Sequence, residues 1–342
     1  ESANAGGHML SSRQSQVLRI ISREFITTGV PVSSDVIARN YSQKVSSATI
    51  RNDVMLLEQE GYILRPHTSA GAVPSDRGYR QFIETMDAPQ ELPAWEQHMV
   101  SHLFHQVERD TEEWVGLATS LLGRLTRCAS LVTWPQAEES QFRHLGLVSL
   151  HRFLAMLVLV LQEARLRHQL LPLEEPMSQQ ALDATAARLN VAYSGLDAMG
   201  IEDMTGGLTY PLDEAVSRAV VTLMRRANQR ETAQIRFHGW GYMLAQPELV
   251  GITARETVEA LEERGLPVSL LPTEGLRVII GEESREAALY PMSLVIASYG
   301  ILPQVKGFIG VVGPTRMHYG RAISAVKFVS EQLNRLLSEI YS

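Results

Sequence analysis

Apolar residues recur at helical spacing from Val17 onward. Val17, Ile20, Ile21, Phe25 and Ile26 mark a first helix, which Gly29 and Pro31 end because the chain cannot continue helically there. Ser33 or Ser34 caps a short second helix through Tyr41, with Val36, Ile37 and Ala38 on its apolar side. A third helix is predicted after Ser46 and Ser47, whose hydroxyls can accept the orphan N–H groups of a first turn. Ile50, Val54 and Leu57 then fall at i, i+4 and i+7, a single packing stripe, and Gly61 suits the C′ position that stops the helix. A hairpin follows, with strands at Tyr62 to Arg65 and near Ala72 and Val73 and a turn from Pro66 to Gly71. Three short helices and a hairpin predict a winged helix-turn-helix, whose third helix enters a DNA major groove.

The polar face of that third helix agrees. At 100° per residue, Ala48, Asn52 and Gln59 lie opposite the apolar stripe, with Thr49 and Arg51 on the flanks. Arginine can fork onto guanine and asparagine onto adenine, while the methyl groups of alanine and threonine suit thymine. Whether Arg51 reads a base or touches a phosphate stays open at this level.

Beyond a Pro-containing linker, Asp87 to Pro93, apolar residues keep helical spacing from Trp95 to Cys128, predicting one long helix or two nearly collinear ones. Strand-like runs follow at Ser130 to Thr133, Leu145 to Leu150, Phe153 to Leu161 and Ala164 to Leu171. The third of these is apolar almost throughout, as a strand covered on both faces would be. Helical periodicity returns at Met177 to Tyr193, Leu212 to Ala227 and Thr253 to Arg264. Strands resume at Val278, Leu294 and Phe308, and an amphipathic helix from Ala322 to Ile340 closes the sequence. Strands, a helical block and further strands predict an α+β multidomain protein in which an insertion interrupts a sheet domain.

Composition narrows the function classes. The 342 residues suffice for two or three cores. A single cysteine, Cys128, leaves no intramolecular disulfide and fits a reducing cytoplasm. The longest apolar run, Phe153 to Leu161, is far below the ~20 residues of a membrane-spanning helix. Residues 1–9, with Gly6-Gly7-His8 before Met9, show neither a basic start nor an apolar stretch. They resemble a cloning remnant and stay outside the fold reading. The net charge of −7 looks wrong for a DNA binder until it is divided: residues 10–86 hold nine Lys/Arg against seven Asp/Glu, or +2, which leaves −9 elsewhere. So small a basic excess predicts weak binding by one copy, with a dimer on an inverted repeat supplying the affinity.

Other motifs read as structure rather than chemistry. His98, His102 and His105 share a helix face at i, i+4 and i+7, but no cysteine or carboxylate cluster accompanies them, so a polar face is preferred to a metal site. Gly307, Gly310 and Gly313 match neither the dinucleotide nor the Walker spacing and suit packing. Cys128 lacks a nucleophile context. No catalytic residues, cofactor or metal are expected.

Two distant blocks carry a family resemblance. Ser46 to Asp53 (SSATIRND), Leu57-Glu58, Gly61-Tyr62, Pro66 to Gly71 and Gly78-Tyr79-Arg80 form the first. Val278 to Glu282, Ser293 to Val295, Tyr299, Gly310 to Met317 and Tyr319 form the second. Together they resemble the heat-inducible transcription repressor family HrcA, with Ala72 where members carry a basic wing residue and His318 where they carry an acid. The resemblance implies a winged-helix domain (10–86), a linker (87–93), a GAF-like α/β domain in two parts (94–174 and 273–342) and an inserted dimerisation domain (175–272). It also implies a homodimer bound to an inverted-repeat double-stranded DNA operator before chaperone operons, assisted by chaperonin and released on heat shock. Ser46, Ser47, Thr49, Arg51 and Asn52 would read or anchor the major groove. Lys44, Arg65, His67, Thr68 and Ser69 would contact the backbone or adjacent minor groove. Arg316, after Gly-Pro-Thr, would tie loops together rather than bind an anion. The rival readings are a regulator whose GAF-like domain senses a small molecule and, with least support, an enzyme carrying an accessory winged helix.

Overall fold

The computed structural model of the chain describes residues 10–41, 45–66, 71–86, 91–107, 110–136, 140–162, 166–205, 210–228, 235–246, 252–301 and 305–341. Helix α1 (Ser12–Thr28) opens on a capping box between Ser11 and Gln14 and ends where Gly29 turns left-handed at φ 68°. Ser33 caps α2 (Ser34–Asn40), and Ser46 caps α3 (Ser47–Gln59). A Schellman turn stops α3: the Tyr62 amide donates to the Leu57 carbonyl (2.9 Å) and the Gly61 amide to that of Glu58 (3.0 Å), with Gly61 at φ 76°. Strand β1 (Ile63–Leu64) then pairs antiparallel with β2 (Val73–Pro74). Ala72 is buried and exchanges two backbone hydrogen bonds with Val32 (2.9 and 2.8 Å), so the hairpin is anchored to the α1–α2 connection. Its position serves packing rather than a surface contact. These elements share a cluster whose buried members include Val17, Ile21, Ile37, Ile50, Leu57 and Ile63, and helix α4 (Asp76–Glu84), capped by Ser75, packs beside α1.

The periodicity from Trp95 to Cys128 forms neither one rod nor a collinear pair. Asp110 accepts from the Glu112 amide (2.9 Å) and so starts a new helix, α6 (Thr111–Thr126), after α5 (Ala94–Gln106). The Arg321 side chain donates to Glu96 at the start of α5 (2.6 Å) and to the Leu125 carbonyl at the end of α6 (2.9 Å). These ends therefore lie side by side, and the two helices run antiparallel.

The remaining elements are β3 (Ala129–Thr133), β4 (Phe142–His151), β5 (Leu154–Leu161), β6 (Leu166–Pro172), α7 (Gln179–Tyr193), α8 (Ala198–Thr205), α9 (Pro211–Asn228), β7 (Ile235–His238), α10 (Trp240–Leu244), α11 (Ile252–Arg264), β8 (Leu276–Ile280), β9 (Met292–Ile301), β10 (Val305–Pro314) and α12 (Tyr319–Tyr341). One sheet has the order β7-β3-β10-β9-β8 and another the order β4-β5-β6. The chain is thus a mixed α+β protein. It divides into one unit of Glu1–Thr133, Ile235–Tyr299 and Phe308–Glu339, and a second of Trp134–Gln234, Gly300–Gly307 and Ile340–Ser342.

Along the chain, residues 134–234 of the second unit fall between two parts of the first, whereas the insertion expected from the sequence spans 175–272. Strands β4 to β6, assigned from the sequence to the 94–174 segment, share a core with α7 to α9 through Phe142, Leu157, Leu159, Leu189, Tyr193 and Val220. Conversely, Met243 and Leu261, assigned to the insertion, pack with Leu131, Ile279 and Leu294 of the five-stranded sheet. Shared burial, not the alternation of strand and helix along the chain, decides membership.

Within the second unit, Phe142 meets Tyr193 edge-on at 5.8 Å, and the Arg188 guanidinium forks onto the buried Asp213 (2.7 and 3.2 Å). The outer edge of β4 is closed by side chains. Asn190 bonds the Leu145 amide and carbonyl (2.7 and 2.9 Å), and Gln179 bonds the Ser149 amide and the Leu147 carbonyl (both 2.8 Å). Strand β5 corrects the expectation of two covered faces. Its residues alternate between buried and half-buried, because helices cover one face alone.

Cys128 lies in the first unit, and burial pushes its thiol up to about 11. The reactive thiolate is then scarce near neutrality. Ellman's reagent at pH 8 should leave the folded protein unlabelled and release one equivalent of chromophore on denaturation, as expected for one buried free cysteine. Full labelling of the native protein within minutes would contradict this.

Candidate nucleic-acid interface

Helix α3 presents two faces of different chemistry. Ile50, Asp53, Val54 and Leu57 are buried against the other helices. Ser47, Ala48, Arg51, Asn52, Met55 and Gln59 are exposed. This division follows from the 100° step between residues, which places the two sets on opposite sides.

The acidic residues of α3 are both engaged. The Asp53 carboxylate, 1% exposed, accepts from Arg13 Nε (2.6 Å) and Nη2 (2.9 Å). Glu58 pairs with Arg65 at 3.2 Å. Two charges that would repel a phosphate backbone are thereby balanced by arginines. The sequence shows Asp53 inside its motif but gives no sign that Arg13, forty residues earlier, forks onto it.

The predicted contact residues fall into three groups. Ser46 is the cap: its hydroxyl accepts from the Thr49 amide (3.2 Å) and lies 2.8 Å from the Thr49 hydroxyl. Their first task is to start the helix. Arg51 and Asn52 are exposed, and among the described residues neither side chain has a hydrogen-bond or ion-pair partner, while Ser47 is exposed beside them. Arg65 stands just past β1, engaged with Glu58. Lys44, His67, Thr68 and Ser69 lie outside the described residues.

Met55 adds a feature absent from the expected set. Its side chain is 44% exposed on the face of Arg51 and Asn52, an apolar group of the kind that can meet a thymine methyl. The helical wheel that selected Asn52 and Gln59 also holds this position.

The hairpin is held at both ends. Ser75 donates to the Gly61 carbonyl (2.6 Å), Arg77 donates to the Glu60 carbonyl (2.6 Å), and its guanidinium sits 4.3 Å from the centre of the Tyr62 ring. With the Val32–Ala72 bridge, this fixes where the hairpin emerges relative to α3.

His98, His102 and His105 are exposed, and among the described residues no group of three His, Cys, Asp or Glu side chains is placed to hold a metal. A Cβ on Gly310 would lie 2.6 Å from the Val295 carbonyl oxygen, and one on Gly313 would lie 2.7 Å from Cys128 Sγ, so these glycines permit close packing. Arg316 donates to Gln246 Oε1 (3.1 Å) and lies against Gly29 at the end of α1, in keeping with the loop-tying role.

The family model described as the HrcA protein C-terminal domain matches residues 112–323. A heat-inducible transcription repressor HrcA of Dehalococcoides mccartyi is 41% identical over 339 residues, covering 97% of each sequence. One from Chloroflexus aggregans is 34% identical and covers 97% of this chain and 94% of the relative. Among solved structures, the crystal structure of a hypothetical protein at 2.2 Å matches with a TM-score of 0.62 at 24% identity, covering 97% of this chain and 99% of that one. That last likeness concerns the fold alone.

Proposed function

Since this chain belongs to the HrcA family of heat-inducible transcription repressors, we propose that it represses chaperone operons as a homodimer bound to an inverted-repeat operator. The observation that carries the reading is the exposed face of α3, where Arg51 and Asn52 have no hydrogen-bond or ion-pair partner among the described residues, beside an anchored hairpin. In this reading residues 10–86 are a winged helix and α3 is its recognition helix. Ser46, Ser47, Thr49, Arg51 and Asn52 face the major groove. Lys44, Arg65, His67, Thr68 and Ser69 serve the backbone or minor groove, with Arg65 exchanging Glu58 for a phosphate. The five-stranded sheet and its helices form the GAF-like domain.

Dimerisation is assigned to the open face of the β4-β5-β6 sheet, with a second copy of the chain as the occupant. Val148, Met156 and Leu170 stand in register across the three strands, as do Val160 and Leu166. Val148, Leu150, Leu166 and Leu170 are each 43–57% exposed. The row between those two registers, Gly146, Val158 and His168, is mixed, and a largely apolar open face of this kind marks an interaction site. A dimer also answers the small basic excess of residues 10–86, since two linked half-site contacts raise the apparent affinity by about 10²–10⁴ over one.

Thermal release is read as a population shift, in which warming depletes the DNA-competent arrangement and a chaperonin occupied elsewhere no longer restores it. Among the described residues no helix is long and apolar enough to cross a membrane. The test is fluorescence anisotropy at fixed salt on a labelled inverted-repeat duplex from a chaperone operon and on a scrambled duplex, with and without chaperonin. Specific binding, strengthened by chaperonin and abolished by heating, is the expected result. Equal, salt-sensitive binding to both duplexes would overturn the reading.

A further inference from the structure

The N-terminal domain is attached to the five-stranded sheet by more than its linker. Arg80 on α4 forks onto Glu283, with Nε donating to Oε1 at 2.8 Å and Nη2 donating to Oε2, and Nη2 also donates to the Val278 carbonyl (2.8 Å) on the sheet-edge strand β8. Glu283 is held in turn by the Ile280 amide (3.0 Å). One turn earlier on α4, Asp76 Oδ2 accepts from the Glu282 amide (2.9 Å). Between these contacts sits Gly281 at φ 50°, where a Cβ would overlap the Asp76 carboxylate. On the same helix the Tyr79 ring packs on Tyr319, 5.7 Å between centres, and the Tyr319 hydroxyl is fixed by Ser293 (2.8 Å). A separate contact lies at the far end of α1, where Gly29 meets Arg316.

The form of these contacts matters more than their strength. A half-exposed ion pair contributes little to stability. A planar fork shared between a carboxylate and a strand carbonyl is directional, however, and two attachment points remove rotations that one would leave. The covalent connection, residues 87–93, could by itself reach roughly 25 Å when extended. A domain tethered only by that length would sweep a wide cone and present its recognition helix at many angles.

Resting on the operator reading above, we propose that Asp76 and Arg80, with Glu282 and Glu283, are positioning residues that set the half-site spacing the dimer accepts. They touch no base in this scheme, since none lies on α3 or the hairpin. They act by fixing the orientation of the domain that does.

The test uses the full-length protein and a ladder of inverted-repeat duplexes whose spacer changes in single base pairs, with a lone half-site alongside. Wild type, Arg80→Ala, the milder Glu283→Gln and the exchanged pair Arg80→Glu/Glu283→Arg are titrated by anisotropy, with melting curves confirming that each is folded. Wild type should show a sharp spacing optimum. Both single variants should bind the optimal duplex about tenfold more weakly, lose little at neighbouring spacings and keep half-site affinity. The exchanged pair should regain part of the optimum. A spacing profile as sharp as wild type in the single variants would overturn the proposal, and so would a parallel loss of half-site binding. A wild type without sequence preference would remove the operator reading itself, a failure distinct from specific binding with unaltered spacing dependence.

Discussion

Arg51→Ala combined with Asn52→Ala is expected to remove operator recognition while leaving the fold and most non-specific DNA binding in place. Each forked contact to the correct base discriminates by about 1–3 kcal/mol, and a dimer makes each contact twice. The combined loss should therefore bring operator affinity down to that for scrambled DNA. The fold should not register the change, because both side chains are exposed and partnerless among the described residues. Exposed substitutions of this kind shift stability by about 0.5 kcal/mol or less. Residual binding should remain steeply salt-dependent, since it rests on phosphate contacts. The single variants assign roles. If Arg51 reads guanine, Arg51→Ala relaxes preference at one base pair; if it holds a phosphate, specific and scrambled duplexes weaken alike and the salt slope falls by about one. A double variant that bound the operator as wild type does would remove α3 as the reading element.

What the sequence reveals and what it conceals divide along a physical line. The signals at α1 and α3 are local: a capping serine, an apolar stripe at 3.6-residue spacing and a glycine able to turn left-handed all lie within about one helix length. Thus Ser46 caps and Gly61 terminates α3 as the residues predict. A change of periodicity suggests an insertion, but periodicity alone does not set its limits. Whether β4 to β6 belong with the flanking sheet or the following helices depends on which apolar faces meet, as Leu157 and Leu189 do in one core. Strand β5 illustrates the same limit, since near-continuous apolar sequence can mean two covered faces or one covered face with the other awaiting a partner. The break between α5 and α6 turned on the Asp110 cap, hidden within a regular apolar spacing. Contacts such as Arg13 with Asp53, or Arg80 with Glu283 across 203 positions, leave no trace in local pattern because each is a meeting of distant segments.

The open face of β5 yields the other large effect. If the proposed dimer forms through this face, Met156→Lys with Leu170→Lys should leave a monomer and lower operator affinity by about 10²–10⁴, the factor lost when two linked contacts become independent. The two positions are paired across β5 and β6, so the new charges fall side by side in the middle of the proposed interface. In a two-fold contact each also approaches its copy in the partner, and burying unpaired ammonium groups is strongly unfavourable. The second unit itself should stay folded, because its core uses the opposite face, including Leu157 and Leu159, each 0% exposed. Leu157→Lys is the contrasting variant and should unfold that unit. Sedimentation equilibrium reads the oligomeric state, and a half-site duplex separates the two causes of lost repression. The lysine variant should keep wild-type half-site affinity, whereas Arg51→Ala with Asn52→Ala should lose half-site and full-site recognition together. A Met156→Lys/Leu170→Lys protein that remained dimeric would place the dimer contact elsewhere, and the open-face row of Val148, half-buried Met156 and Leu170 would then need another occupant.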